Sequence, residues 1–251
     1  MPRYLVPASA FEGDTLRVDG HLARHLARSL RVIHGERITV VDDAGVEHGV
    51  VIDQVSARLL TARVAWSRPA AGEPALQLHV VHALIREFAD VVADLTHAGA
   101  TAIYPVLTSR TVVRPPANRC RGQVERWQTV AAEAAQLAGR VRAPAVSTVG
   151  RLADAMAALP ERTRILACTV DAQAPLSRID IDTAAPLALV IGPEGGLEAA
   201  ELAELMARGA TSVHLGPRVH PARNAGSLAL SLALARTGCL DHAPPPPPWP
   251  G

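Results

Sequence analysis

The stretch Leu187-Ala-Leu-Val-Ile-Gly-Pro-Glu-Gly-Gly-Leu197 decides the fold: an unbroken apolar run ends in Gly192-Pro193-Glu194-Gly195-Gly196, and the helical pattern LEAAELAELMARG begins at once. A continuous apolar run bounded by glycines reads as a strand covered on both faces, as in a parallel sheet flanked by helices. Glycines at the carboxyl end of such a strand let main-chain amides come close to a ligand. One glycine-rich turn is equally well read as a tight strand-to-helix connection. A second turn of the same kind, Leu215-Gly216-Pro217-Arg218, again follows an apolar strand and leads to a helix. The pair points to a binding edge.

Outward from that core the same rhythm continues. RILACT (164–169), ATAIYPVLT and LQLHVVHAL read as strands, and TSVHLG as the last one. Helices are expected over REFADVVADLTHAG, stopped by Gly99 at the C′ position, over about 124–137, and over AGSLALSLALART. This alternation predicts an α/β fold with a mostly parallel sheet over 75–242. Ser67–Pro74, rich in Pro, Gly and Ala, reads as a linker. Before it, residues 1–68 read as a hairpin-built barrel carrying one helix over His21–Val32, with Leu22, Leu26 and Leu30 on one stripe. APPPPPWPG, at 243–251, suits polyproline II or disorder.

The 251 residues fit one large domain or two modest ones, and 49% hydrophobic with 20% charged residues supports a sizeable core. Pro186, Gly192 and Glu194 interrupt the best apolar run before it reaches the roughly 18 residues of a membrane span. The start lacks a signal-peptide layout, and Cys120, Cys168 and Cys239 form neither a metal pattern nor an even disulfide set. A cytoplasmic protein with no metal and no membrane partner is expected. The net charge of +1 decides nothing, but its distribution is uneven: all 25 basic residues are arginine, and Thr108–Arg142 holds seven of them against two glutamates, a net of +5. Arginine's planar fork suits phosphate; a solvated face in a lysine-free composition accounts for the run equally well.

The pair IGPEGGL…LGPR stands in one order with PRYLVP, HLARSLRVIHGERITVVDDAG, IYPVLTSRTVV and ERWQTVAAEAA. Together they resemble the bacterial 16S ribosomal RNA uridine-N3 methyltransferase family, a branch of the SPOUT methyltransferases, over nearly the whole chain to about residue 242. The resemblance implies an N-terminal PUA-like β-barrel that binds RNA (1–68) and a C-terminal SPOUT α/β domain with a trefoil knot (75–242). A knot itself is not legible in a sequence pattern. It further implies a homodimer with active sites at the subunit interface, S-adenosylmethionine as cofactor, and ribosomal RNA of the small subunit as substrate. Three loops would hold the cofactor mainly by backbone groups: Thr169 to Ala172; Ile191, Gly192, Pro193, Glu194, Gly195 and Gly196; and Leu215 and Gly216 through Arg218 to Ala225. Gly195 is the position where a side chain is expected to block backbone approach.

Three polar signatures depart from the family. After LGPR the family continues with an apolar pair and Arg-Thr-Glu-Thr-Ala, whereas this chain reads Val219-His220-Pro221-Ala222-Arg223-Asn224-Ala225. Thr96-His97-Ala98-Gly99 replaces Thr-Glu-Leu-Gly, and Gln136-Leu137-Ala138 replaces Glu-Gln-Ser. Arg218, directly after the cofactor loop, is the first catalytic candidate; its plain alternative is a salt bridge to a dimer mate. Arg140 is placed near the RNA by the resemblance, or is a solvated helix end. Arg223 and Asn224 occupy the altered segment and are candidates to replace the missing groups. His220 is a candidate base by residue type, although a histidine beside a proline is commonly structural. For Glu194, capping the next helix is the plainer reading. His25, Arg28, Arg31 and Arg37 are candidate phosphate contacts that would position RNA without reading bases. Two other functions stay open: a divergent SPOUT enzyme acting on another RNA or a small molecule, and a non-catalytic RNA-binding or ribosome assembly factor.

Overall fold

The computed structural model describes residues 3–28, 32–241 and 249, without the side chains of His21, Leu22, His25, Arg28 and residues 117–119. The apolar stripe at Leu22 and Leu30, and the phosphate candidates His25, Arg28 and Arg31, therefore lie outside the described residues. The chain divides into two compact units, one from the described residues of Met1–Glu73, Ala135–Arg142 and Pro244–Gly251, the other from Pro74–Ala134 and Ala143–Ala243.

The first unit contains β1 (Arg3–Val6), β2 (Phe11–Glu12), β3 (Thr15–Asp19), α1 (Gly20–Arg28), β4 (Arg37–Asp42), β5 (Val46–Val55) and β6 (Leu59–Pro69). They form one six-stranded sheet in the order β1-β4-β5-β6-β3-β2, antiparallel except for the parallel β1–β4 pair. Alternating residues on the long strands send Val40, Val50, Ile52, Leu60 and Ala62 into a core closed by Ala23 and Leu26 of α1. Register shifts at Gly49/Val50 and Ile52/Gln54 increase the local twist and let the sheet curl. β6 runs through Pro69, with Val46 opposite Pro69, so the first part of the segment that reads as a linker is strand. Glu47, 1% exposed, sits between two arginines: its carboxylate oxygens lie 2.8 Å from Arg3 Nε and 2.6 Å from Arg68 Nε.

The second unit contains β7 (Leu78–Ala83), α2 (Phe88–His97), β8 (Ala102–Leu107), α3 (Ala117–Leu137), β9 (Ala145–Val146), β10 (Gly150–Arg151), α4 (Leu152–Ala158), β11 (Arg164–Cys168), β12 (Ala174–Pro175), β13 (Leu187–Ile191), α5 (Ala199–Ala207), β14 (Thr211–His214) and α6 (Ala222–Arg236); the last residues of α3 group with the first unit. Its strand order is β10-β8-β7-β13-β11-β14-β12, with β9 on β8, and every pairing among the described residues is parallel. Neighbouring residues of β13 feed opposite faces. Leu187, Leu189 and Ile191 join a core with Leu95 and Leu230, while Val190 joins one with Leu205 and Met156. Burial on both faces is why the run is unbroken. The sheet's ends show what the sequence hides: β9, β10 and β12 are two residues each, and α4 is one short Ala-rich turn pair.

Two histidines of β7 are buried. His82 is fully enclosed, its Nδ1 2.7 Å from the Ala83 carbonyl and its Nε2 3.0 Å from that of Ala222, and His79 lies 3.2 Å from the Tyr104 hydroxyl. Burial lowers the pKa of both; for His82 the two carbonyls and Glu194 oppose it. The unfolded chain takes up these protons near pH 6.5 and the folded one only lower, so unfolding gains protons as pH falls below about 6.5. Stability of this unit should therefore decline below about pH 6.5, by at most about 1.4 kcal/mol per pH unit per histidine. Urea melts at pH 7.5 and 5.5 check this: His82→Gln should flatten part of the slope, and an unchanged slope would refute the assignment.

Candidate functional site

The parallel register places three loop origins level with each other. Cys168, at the end of β11, pairs with Ile191 of β13 on one side and Val213 of β14 on the other. The chain thus leaves the sheet at Thr169, Gly192 and Leu215 on one edge, where ligands of open α/β sheets sit. Thr169 is fixed there: its N–H donates to Val213 O at 2.9 Å, and its hydroxyl meets that of Ser212 at 2.7 Å. Desolvation pushes the Cys168 thiol up to about 12, so it carries no thiolate at neutral pH.

The loop after β13 folds back tightly. Ile191, Gly192 and Pro193 are buried, while Glu194 and Gly195 are exposed. Gly196 donates to Pro193 O at 2.8 Å and takes φ +71°, a conformation glycine adopts without strain. A Cβ on Gly192 would lie 3.0 Å from Leu197 N and 3.1 Å from Gly196 C, which are main-chain atoms. Among the described residues the exposed amides of Glu194 and Gly195 donate to no protein acceptor. That combination, a glycine wedge beneath a loop whose next two residues are exposed and carry N–H groups unpaired among the described residues, fits a ligand held by backbone groups.

The structure adds residues that the sequence does not single out. Arg110, on the loop after β8, donates from Nη1 to Gly195 O at 2.7 Å, and its Nε stands 3.9 Å from Glu198 Oε1. A Cβ at Gly195 would meet only this arginine's side chain, at 3.4 Å or more, so crowding falls on Gly192, not on Gly195. The N–H and hydroxyl of Ser109 donate to Glu201 Oε1, at 2.8 and 3.2 Å. The other oxygen of Glu201 accepts the Glu198 N–H at 2.9 Å. Glu198 and Glu201 thus finish the start of α5, and Glu194 does not cap it, contrary to the sequence reading. A cavity of about 520 Å³ opens beside this brace, lined by Thr108, Ser109, Arg114, Arg151 and Glu201; it contains none of the glycine-loop residues.

The catalytic candidates are not gathered at one point. Arg218 is exposed just beyond Gly216, whose N–H donates to His214 Nδ1 at 3.1 Å, and it has no ion-pair partner among the described residues. Arg223 and Asn224 lie in the first turn of α6, not in a loop. The guanidinium of Arg223 turns to α2, 3.2 Å from Asp90 and 3.9 Å from Asp94, while Asn224 is exposed. Arg140 is 7% exposed and forked onto Glu73 at 3.1 and 2.7 Å, so it is not a solvated helix end. The Ala225 amide already donates to Pro221 O, leaving its methyl as contact surface. The start of α6 comes close to the edge because Gly226 has no Cβ; one would lie 2.8 Å from Leu95 Cδ2 and 3.4 Å from His82 Cδ2.

A parallel α/β unit with glycine loops level at one edge is the class the RNA methyltransferase domain occupies, and that family matches residues 72–234. Ribosomal RNA small subunit methyltransferase E of Mycobacterium bovis is 33% identical over 241 residues, 91% of this chain and 89% of that protein. The chain belongs to this family. In fold it is similar to ribosomal RNA small subunit methyltransferase E from Neisseria gonorrhoeae bound to S-adenosyl methionine (TM-score 0.84, 24% identity, 94% of this chain and 97% of that one). It is also similar to a putative methyltransferase from Legionella pneumophila in complex with the same cofactor (TM-score 0.80, 22% identity, 93% and 96% covered).

Proposed function

We propose that this chain transfers a methyl group from S-adenosylmethionine to N3 of a uridine in small-subunit ribosomal RNA. The observation that carries this reading is the level trio of loops at 169, 192 and 215, with N–H groups at the exposed Glu194 and Gly195 that are unpaired among the described residues. Family membership supports the substrate class. Thr169, Ile191–Gly196, Leu215 and Gly216 would hold the cofactor, and Ala225 would line it; when bound, it supplies an electrophilic methyl on a cationic sulfur. Arg110 holds the Gly195 peptide and so fixes the direction of the loop's amides.

Arg218 is the residue assigned to the base. Its uncommitted guanidinium would sit against the uracil carbonyls and stabilise the negative charge that grows as N3 gives up its proton. Asn224 offers an exposed side-chain amide in the first turn of α6. Arg140 and Arg223 hold acids, so a substrate role for either would first require release of that acid. Arg218→Ala should cut turnover by about 10²–10³ while cofactor affinity changes less than threefold. Calorimetry with single-turnover kinetics checks the split, and equal loss of both would make Arg218 a cofactor ligand only.

The same reading assigns a PUA-like barrel to 1–68 and a knotted SPOUT domain to 75–242, in a cytoplasmic homodimer. The curled six-stranded sheet supports the barrel, and the out-of-sequence place of β13, between β7 and β11, is compatible with the knot. Val170 and Val219, 68% and 79% exposed on the loop edge, support a partner subunit that covers them. Among the described residues no helix is long and apolar enough to cross a membrane, and no acid, His or Cys cluster suits a metal. The rebuilt run Val219–Asn224 favours one second reading, methylation of a different RNA position. Primer extension on ribosomal RNA from cells with and without the gene separates them, because N3 methylation blocks pairing and stops the polymerase. A gene-dependent stop supports N3; unchanged stops refute it.

A further inference from the structure

On the first unit an indole is seated against bare main chain. Trp66 of β6 lies opposite Gly49 of β5, and a Cβ on Gly49 would fall 2.1 Å from the Trp66 ring, so only glycine fits beneath it. Trp249, from the proline-rich run, meets this ring edge-on, with centroids 5.8 Å apart and planes at 67°. Two arginines complete the row: Arg68 Cζ stands 5.0 Å from the Trp66 centroid, and Arg37 Cζ 5.3 Å from that of Trp249. Arg68 is held by Glu47, whereas Arg37 is exposed without an ion-pair partner among the described residues. Both indole Nε1 atoms are shielded from water with no acceptor among the described residues. Buried indole N–H groups normally find an acceptor. Two without one, on a single patch, mark a surface whose other occupant brings acceptors.

We propose that Trp66, flanked by Arg37 and Arg68, is a base-stacking site for single-stranded RNA, and that Trp249 of the same chain covers it when RNA is absent. Bases offer what this patch lacks: a π face for the indole, edge oxygens and nitrogens for its N–H, and a phosphate for Arg37. Trp249 must leave before a base can stack, so the self-contact lowers apparent RNA affinity by the fraction of molecules in which the patch is covered. The proposal rests on the reading that this chain acts on RNA.

The test measures binding of a fluorescent oligouridylate of about ten nucleotides to the full chain by anisotropy. Trp249→Ala should tighten binding roughly two- to tenfold, as expected for release of one aromatic contact. Trp66→Ala in that background should weaken it roughly five- to hundredfold, and Trp66→Phe should recover part of the loss. Arg37→Gln, on the surface, should weaken binding and lower its salt dependence without changing the melting temperature. Unchanged or weaker binding by Trp249→Ala overturns the covering role. Normal binding by a folded Trp66→Leu variant, which keeps apolar bulk but has no π face, together with normal binding by Arg37→Gln, overturns the stacking site, even if Trp66→Ala does not fold. S-adenosylmethionine binding, measured on the same proteins, should not move. If the parent protein itself fails to bind the cofactor, it is the methyltransferase reading that falls.

Discussion

Gly192→Ala should weaken S-adenosylmethionine binding about 30- to 150-fold, the equivalent of losing two main-chain hydrogen bonds at roughly 1–1.5 kcal/mol each. The added methyl has nowhere to go: it would meet Leu197 N at 3.0 Å and Gly196 C at 3.1 Å, and main chain cannot rotate aside as a side chain does. The 196–197 peptide must shift, and the amides before it turn with it. Overpacking of this kind costs about 1–3 kcal/mol, so the protein should still fold. Gly195→Ala is the control, because its methyl would touch only the flexible Arg110 side chain and its φ is not left-handed. Calorimetry on the two variants, beside thermal melts, makes the comparison. A folded Gly192→Ala protein with normal affinity would show that the loop after β13 does not hold the donor.

The largest expected effect on stability lies in the first unit. Glu47→Ala should cost about 3–5 kcal/mol, because it strands two arginines that share one buried carboxylate. Arg3 is 9% exposed at its side chain and cannot reach solvent easily; it also donates to the Ala71 and Gly139 carbonyls, which would pin it in place. Arg68 is 36% exposed, so part of its charge is screened and the lower end of the range is expected if Arg3 relaxes. Glu47→Gln keeps the shape and should lose less. Urea unfolding followed by circular dichroism reads the midpoint, with an unchanged slope indicating a change in stability alone. A loss below about 1 kcal/mol would mean that the triad is no better than a surface pair.

Much of the parallel unit was legible because its strands are covered on both faces, and a short apolar run without polar alternation, such as Leu187–Ile191 between glycine and proline, suits the middle of a parallel sheet. Gly99 and Gly209 ended α2 and α5 as expected, with φ of +102° and +82°. The start of α6 was missed although its signal was present: Pro221 stands immediately before the first turn, so Arg223 and Asn224 are helical. α3 begins at Ala117, ahead of the expected 124, since its opening turns are polar and carry Gly122. Pairings between distant residues left no local trace. Arg110 reaches a carbonyl 85 positions away and Arg140 a carboxylate 67 away, and neither separation has a period. The basic run that contains both was visible, but composition alone could not say that one arginine braces a glycine loop and the other fills a buried ion pair.

A crystal structure of this chain grown with S-adenosylmethionine is the most direct trial of the loop assignment. The donor should lie at the carboxyl edge of β13, β11 and β14, accepting N–H groups from the 192–196 turn, with its methyl directed toward Arg218. Finding the donor in the cavity beside Ser109 and Arg151, or finding the three loops empty at saturating donor, would contradict it.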